Sequence, residues 1–164
     1  MSDFPIRKEY RSEVANIENL IAKFDDADLT YILGSRMFWY RKHAEINKNL
    51  YRIGSLVIYI VHIATAVAGV AAINGFSTYL LLAILPITAV SIRATLDLYS
   101  AQENWKRYRS TLEKLREEAE MYISGVGTYK NSDKDSRKST FVVRTLEISS
   151  REVHAWGKQR TKDK

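Results

Sequence analysis

The sequence predicts an all-α membrane protein: a two-span transmembrane helical hairpin with long cytoplasmic helix extensions and flanking short helices. The first observation is that Ile53–Ile92 contains no Asp, Glu, Lys or Arg, although 27% of the 164 residues are charged. The second is that Asn74-Gly75, a turn signal, divides this run into two stretches of helical length. The third is that the chain has only two prolines and seven glycines, so long helices can continue on both sides of the run.

The two apolar stretches are predicted to span a membrane over residues 53–73 and about 76–96. At ~1.5 Å per residue, each stretch of about 20 residues matches a hydrocarbon core roughly 30 Å thick. Pro86 interrupts the second span, which a membrane helix tolerates as a kink when neighbouring groups satisfy the freed carbonyl. The alternative is a hairpin buried in a soluble helical bundle. Such helices usually keep a charged stripe, which this run lacks, so we favour membrane insertion.

Charges on either side of the spans predict their orientation. The turn at residues 74–75 carries no charge, whereas basic residues flank both spans on the other side. They are Arg36, Arg41, Lys42, Lys48, Arg52, Arg93, Lys106, Arg107 and Arg109. The positive-inside rule therefore predicts a protein of the cell (inner) membrane with both termini in the cytoplasm.

The first twenty residues are polar, so the first span is expected to act as an uncleaved insertion signal. The net charge of +6 favours contact with membrane lipid head groups; no nucleic acid is expected, because no binding motif accompanies the charge.

The rest of the chain is predicted to form four regions. Residues 1–28 hold an N-terminal amphipathic helix, Glu9–Phe24, and an acidic loop. Residues 29–123 form the hairpin, in which both spans continue as unbroken helices. Residues 124–139 form a loop and a charged linker that we expect to be mobile. Residues 140–164 form a C-terminal cytoplasmic helix and tail.

Two short motifs have alternative interpretations. Asp25, Asp26 and Asp28 could bind a divalent cation, but such a run more often caps the following helix, and we favour the cap. Gly125 and Gly127 form a lone G-x-G without a preceding strand, which is weak evidence for phosphate binding and more typical of a helix stop.

Trp39 and Trp105 lie outside the predicted spans. If helical, each lies ~20 Å beyond the apolar boundary, which is too far for an interfacial aromatic belt. We predict that Trp39, Trp105 and Tyr108 pack together across two antiparallel helices, in preference to forming a ligand cage.

Polar or small residues recur on one face of each span. In the first span they are Ser55, Tyr59, His62, Thr65 and Gly69; in the second, Thr88, Ser91 and Thr95 continue a face that begins with Ser77, Leu81 and Ile84. Such stripes normally face protein or water. They could hold the hairpin together or line a conduit, which would require a homo-oligomer because two spans cannot enclose a pore.

His62 is expected to hydrogen-bond a neighbouring span, with gating as the alternative. Arg93 and Asp97 could form a local ion pair, which we favour, or a charged ring at a pore mouth.

Catalytic chemistry has no support in the sequence. The chain has no cysteine, which excludes disulfides, thiolate zinc sites and a cysteine nucleophile. It has none of the common hydrolase, phosphate-binding or metalloprotease motifs, and its three histidines are scattered. We therefore expect no enzyme, no metal site and no cofactor.

Three blocks in a fixed order carry a family resemblance. The approach to the first span contains Trp39-Tyr40-Arg41, and the exit from the second contains Trp105-Lys106-Arg107-Tyr108-Arg109. They are followed by LREEA…Y…GVG…Y over residues 115–129. Over about residues 29–157 the chain resembles the SLATT family, which comprises DUF4231-like two-transmembrane effector domains associated with nucleotide synthases (SMODS) and nucleotide sensors (SLOG).

The resemblance implies an inner-membrane effector that forms pores when a nucleotide-based bacterial defence system is triggered. It supplies no catalytic residues. Because the chain has no room for a synthase or sensor domain, we expect a separate nucleotide-synthase or sensor protein, or a small nucleotide ligand, as the trigger. The alternative function is a non-conducting membrane anchor or scaffold that recruits a cytoplasmic partner.

Overall fold

The computed structural model describes the backbone of residues 5–75, 78–130 and 133–162, and the side chains of residues 10–75, 78–130 and 133–151. Within these ranges the protein is all-helical and has no strand. The helices are α1 (Pro5–Ile21), α2 (Ala27–Ile73), α3 (Tyr79–Leu98), α4 (Ala101–Ser124) and α5 (Lys134–Lys162), with a 3-10 turn at Gly127–Tyr129. The predicted all-α fold is confirmed.

The chain divides into two compact units. Met1–Lys42 and Arg107–Lys164 form the first, here called the core unit, and His43–Lys106 form the second, the hairpin unit. The core unit thus contains α1, the start of α2, most of α4, and α5. The hairpin unit contains the rest of α2, the whole of α3 and the start of α4.

The core unit is organised around buried apolar side chains from each of its helices. α1 contributes Ile17, Leu20 and Ile21, whose spacing places them on one helix face, as the amphipathic pattern predicts. An aromatic cluster completes the core: Phe24 stacks on Tyr122 with ring centroids 5.3 Å apart, and Tyr122 lies 4.7 Å from Phe141. The remaining fully buried residues of the cluster include Leu29, Leu33, Met37, Leu112, Leu115 and Tyr129.

The junction between α1 and α2 confirms that the acidic run is a cap. The Oδ1 atom of Asp26 accepts hydrogen bonds from the backbone N–H groups of Asp28 (3.0 Å) and Leu29 (3.2 Å). Its Oδ2 atom lies 2.6 Å from Lys138 Nζ; this hydrogen bond lowers the pKa of the Asp26 carboxyl and raises that of Lys138. No group of acidic residues or histidines in the described chain is arranged to hold a metal ion.

The hairpin unit has two apolar helices joined by the predicted turn. α2 ends at Ile73, and Gly75 has φ of 86°, a left-handed conformation that favours glycine. Both helices are long and apolar enough to cross a membrane. In the most apolar 18-residue stretch of the first helix, only 6% is buried. In the corresponding stretch of the second helix, 11% is buried. Within this chain, these apolar helices are therefore not covered as the core helices of a soluble bundle would be.

Three predicted boundaries differ from the structure. The helix predicted to run unbroken through residue 123 is interrupted at Tyr99–Ser100, where Ser100 has φ of 47°. Neither residue is a Gly or Pro signal; the exposed Tyr99 carbonyl instead accepts a hydrogen bond from Asn104 Nδ2 at 2.9 Å. The N-terminal helix spans Pro5–Ile21 rather than Glu9–Phe24, because proline is tolerated in the first helical turn and α1 therefore begins earlier.

The third boundary is the linker predicted over residues 124–139. α5 already begins at Lys134, because Asp133 Oδ2 accepts a hydrogen bond from the backbone N–H of Ser136 (3.0 Å) and caps the helix. The C-terminal helix therefore starts before residue 140 and continues to Lys162. Gly125, with φ of 64°, ends α4, which agrees with the predicted helix stop.

Candidate functional site: a polar groove in the apolar hairpin

The packing of α2 on α3 fixes which residues lie level with one another. The two helices approach so closely at Gly54 that a Cβ there would lie 2.7 Å from Leu96 Cδ1. Near the turn, a Cβ on Gly69 would lie 3.9 Å from Leu82 Cδ2. The two helices are therefore antiparallel, and each residue further along α2 lies level with one residue earlier in α3. This correspondence holds to within about one residue, or 1.5 Å of rise. Gly69 belongs to the predicted polar stripe of the first span, whereas no sequence pattern marked Gly54 as a contact.

A groove of about 590 Å³ runs along one side of this helix pair. Polar residues of α2 line one wall, and α3 supplies the other. The lining includes Tyr51, Ser55, Tyr59 and His62 from α2, and Pro86, Val90, Arg93 and Asp97 from α3. The structure thus brings three predicted stripe residues of the first span together with the predicted charged pair of the second.

The charged pair lies at one end of the groove. Arg93 Nε is 3.0 Å from Asp97 Oδ2, and both side chains are more than half exposed. This is the i, i+4 ion pair that the sequence favoured. Because the two charges neutralise each other locally, the groove combines a compensated charged end with uncharged polar walls.

The polar side chains of the α2 wall have unused hydrogen-bonding capacity. Ser55, Tyr59 and His62 make no hydrogen bond to any part of the chain that the structure describes. The predicted hydrogen bond from His62 to the neighbouring apolar helix is therefore not formed within the hairpin. Thr65 differs, since its hydroxyl donates to the Val61 carbonyl at 2.8 Å.

The polar stripe of α3 faces away from α2. Ala89 and Leu96 are the buried residues of α3, whereas Thr88, Ser91 and Thr95 are exposed. Each of these three hydroxyls donates to the carbonyl four residues earlier, at 2.8–3.0 Å. Leu81 and Ile84 are about half exposed on the same face, and Ser77 lies outside the described residues. This stripe does not hold the hairpin together.

Pro86, which the sequence predicts only as a kink in the second span, also lines the groove. Proline has no N–H, so the carbonyl four residues earlier in α3, that of Leu82, loses its usual helical donor. The sequence does contain a signal that Pro86 belongs with the charged pair: Pro86 and Arg93 are seven residues apart and therefore share a helix face. Only the packing register shows that this face lies beside Tyr59 and His62.

The core unit contains the predicted aromatic packing in part. The Trp39 ring meets Tyr108 edge-on, with centroids 5.5 Å apart, and meets Tyr40 at 5.0 Å. Trp105 belongs to the hairpin unit, where it is partly buried. Trp39 also lines a second groove of about 640 Å³, together with Arg36, Leu146 and three serines.

Two polar networks inside the core unit were not predicted. Glu13 of α1 contacts both Arg41 of α2, at 3.3 Å, and Arg109 of α4. Partial burial raises the pKa of Glu13, but the hydrogen bond and charge of Arg109, with the charge of Arg41, outweigh it and lower the pKa. In the second network, Tyr129 donates its hydroxyl to the buried Glu118. Burial, reinforced by that carboxylate, raises the pKa of Tyr129 well above its usual range.

A family model for proteins of unknown function, DUF4231, matches residues 35–137, which is more than half of the chain. The protein therefore belongs to the DUF4231 family. The matched segment begins in α2, ends in α5 and includes the whole hairpin unit with its groove. No curated protein and no solved structure matches the chain.

Proposed function

We propose that this DUF4231 protein is a two-transmembrane effector that assembles in the cell membrane and permeabilises it, as the resemblance to SLATT domains implies. One observation carries the proposal: the hairpin unit exposes its apolar surface together with polar groups that it does not use itself. The most apolar stretches of its two helices are only 6% and 11% buried. A bilayer would supply the apolar surroundings that these exposed side chains favour. Two spans cannot enclose a pore, so conduction requires several copies.

The free polar groups support assembly in particular. In hydrocarbon, hydroxyl and imidazole groups are costly unless they face protein or water. Tyr59 and His62 have no partner within the described chain, and the α3 stripe points away from the hairpin. Neighbouring copies, or the water of a conduit, would accommodate both.

Orientation and trigger follow from the same proposal. The basic residues that flank the hairpin support an orientation in the bacterial inner membrane with both termini on the cytoplasmic side. The core unit then lies in the cytoplasm, where a separate nucleotide synthase or sensor, or a small nucleotide, would act in a defence response.

The test is ion flux through liposomes that contain the purified protein, with and without cyclic nucleotides. We expect flux from the wild type and its loss in Ser91→Leu, which removes a hydroxyl from the stripe. Val67→Leu is the matched control, because Val67 is exposed on an apolar part of α2 and should tolerate the change. Equal flux from Ser91→Leu and wild type would contradict a role for the stripe, and a strictly monomeric protein in lipid would contradict the effector.

The second candidate is a non-conducting anchor that recruits a cytoplasmic partner. The groove of the core unit favours it, because Trp39 and Leu146 are 46% and 47% exposed there. Liposomes carrying the protein should then retain a nucleotide synthase or sensor protein without any flux. Leu146→Glu should release this partner, whereas Val143→Glu, an equally exposed position of α5 that does not line the groove, should not.

A further inference from the structure

The two polar surfaces of the hairpin unit lie on opposite flanks of α3. At 100° per residue, the groove residues and the stripe are centred about 170° apart around the helix axis. The groove side of α3 carries Pro86, Val90, Arg93 and Asp97, and the stripe carries Thr88, Ser91 and Thr95. One hairpin therefore cannot bring its own stripe into its own groove.

The polar residues of the two surfaces nevertheless lie at the same heights along the hairpin axis. Since Gly54 lies level with Leu96, the antiparallel register places Ser55 level with Thr95. The same register places Tyr59 level with Ser91. It also places His62 level with Thr88. The groove side chains are separated by four and three residues, and the stripe side chains follow the same separations in reverse order.

The hydrogen-bonding chemistry of the two surfaces is complementary. The three groove side chains carry donors that no described residue accepts. The three stripe hydroxyls have already given their protons to their own helix, which leaves oxygen lone pairs free to accept. One surface therefore offers donors, and the other offers acceptors at the same levels.

We propose that a second copy of this chain docks its α3 stripe into the groove, so that Tyr59 of one copy donates to Ser91 of the next. His62 then pairs with Thr88, and Ser55 with Thr95. This inference rests on the proposed function and names the surface through which assembly occurs. A lipid tail is a poorer occupant of the groove, because it offers no acceptor to the donors.

The geometry also sets the symmetry of the assembly. All copies in one bilayer share the same depth and direction, which is the condition under which the matched levels meet. The contact joins two different surfaces, so the two end copies of an open chain each retain one free surface until a ring closes. The assembly is therefore a ring of identical groove-to-stripe contacts rather than a two-fold dimer.

Cysteine cross-linking tests the contact directly, because the natural chain has no cysteine. Two differently tagged variants, Tyr59→Cys and Ser91→Cys, are mixed in liposomes and oxidised. We expect a disulfide-linked mixed dimer from the pair and no disulfide from either variant alone. A disulfide within the double variant Tyr59→Cys/Ser91→Cys is excluded, because α3, about 10 Å across, lies between the two positions. That double variant should instead give a ladder whose highest band reports the number of subunits.

Ile84→Cys supplies the matched control. Ile84 lies on the stripe face but seven residues from Ser91, about 10.5 Å along the helix, so it should not cross-link to Tyr59→Cys. Equal cross-linking of Ile84→Cys and Ser91→Cys would overturn the register. Disulfides from Tyr59→Cys alone would overturn the groove-to-stripe contact in favour of a two-fold one.

The mass of the wild-type protein in lipid nanodiscs separates this inference from the proposed function. A monomeric wild type would defeat both. An oligomeric wild type whose Tyr59→Cys and Ser91→Cys variants fail to cross-link would overturn the docking contact alone. An oligomer that cross-links at this pair and not at Ile84→Cys is the expected result.

Discussion

The two ends of α2 are parts of one helix, yet their apolar side chains have opposite environments. In the core unit, Leu33 and Met37 are fully buried. In the hairpin unit, Ile63, Val67 and Val70 are each more than 60% exposed. Both ends make the same local helical hydrogen bonds, so local structure does not distinguish them. What differs is the packing: the apolar side chains of the first end pack against other helices, whereas those of the second end are left outside the packing of the chain.

Polar groups differ between the units in a parallel way. In the core unit some charged groups bond across helices, as Glu13 does to Arg41 and Arg109. In the hairpin unit, the hydroxyls of Thr65 and Thr88 bond their own helix. The Tyr59 and His62 side chains of the hairpin unit make no hydrogen bond within the described chain.

The largest expected difference between the units concerns matched leucine truncations. Leu33→Ala removes a fully buried side chain and should lower the free energy of unfolding of the core unit by about 2–5 kcal/mol. Leu56→Ala removes an exposed side chain in the hairpin unit and should change it by no more than about 0.5 kcal/mol. Thermal unfolding of both variants in the same detergent micelle measures the difference. Similar losses would mean that Leu56 is buried in the native protein.

A smaller effect is expected from Tyr129→Phe in the core unit. It leaves the buried Glu118 without its hydroxyl donor and should cost about 1–3 kcal/mol. Tyr122→Phe is the control, since the Tyr122 hydroxyl has no partner in the described chain. Because folding raises the pKa of Tyr129, its contribution is complete below the ordinary value of 10.0 and declines as the pH rises above it. Denaturant titrations at pH 8 and pH 11 should show this decline in the wild type and not in Tyr129→Phe.

The packing of the hairpin is tested by two glycine substitutions with opposite expected signs. Gly54→Ala places a methyl group against Leu96 and should weaken the α2–α3 contact by about 1 kcal/mol net. Gly69→Ala meets only an ordinary contact and should be neutral or stabilising through helix propensity. Fluorescence energy transfer between labels on the two helices, followed through a denaturing-detergent titration, measures both. Leu96→Ala should restore the contact in Gly54→Ala, and failure to do so would contradict the close approach.

The smallest expected effect is that of Glu13→Gln, about 0.5 kcal/mol at neutral pH. Folding lowers the pKa of Glu13, so its contribution is present above the ordinary value of 4.5 and is lost as the pH falls below it. The difference between wild type and Glu13→Gln should therefore disappear in acid unfolding experiments. Glu120→Gln, at an exposed carboxylate, should show no such difference at any pH. A constant difference across the acid range would mean that Glu13 acts by packing rather than charge.

Local signals in the sequence predicted some of the observed boundaries. The turn at Asn74-Gly75 and the cap at Asp26 depend on the conformational preferences of single residues. The break at Tyr99–Ser100 and the early start of α5 had no Gly or Pro to mark them. They depend on hydrogen bonds of Asn104 and Asp133, whose side chains can also serve other roles in a helix or loop.

The sequence by itself determined the all-helical fold, the two apolar helices and the residues of each polar stripe, because these follow from periodicity and composition along one chain. Tertiary structure alone decided that the α2 stripe faces a groove with Pro86 and Arg93, and that the α3 stripe faces away. The physical reason is that a helix pattern defines a face but not its neighbour. The close contact of Gly54 with Leu96 sets the rotation and register of the pair, and thereby places each face.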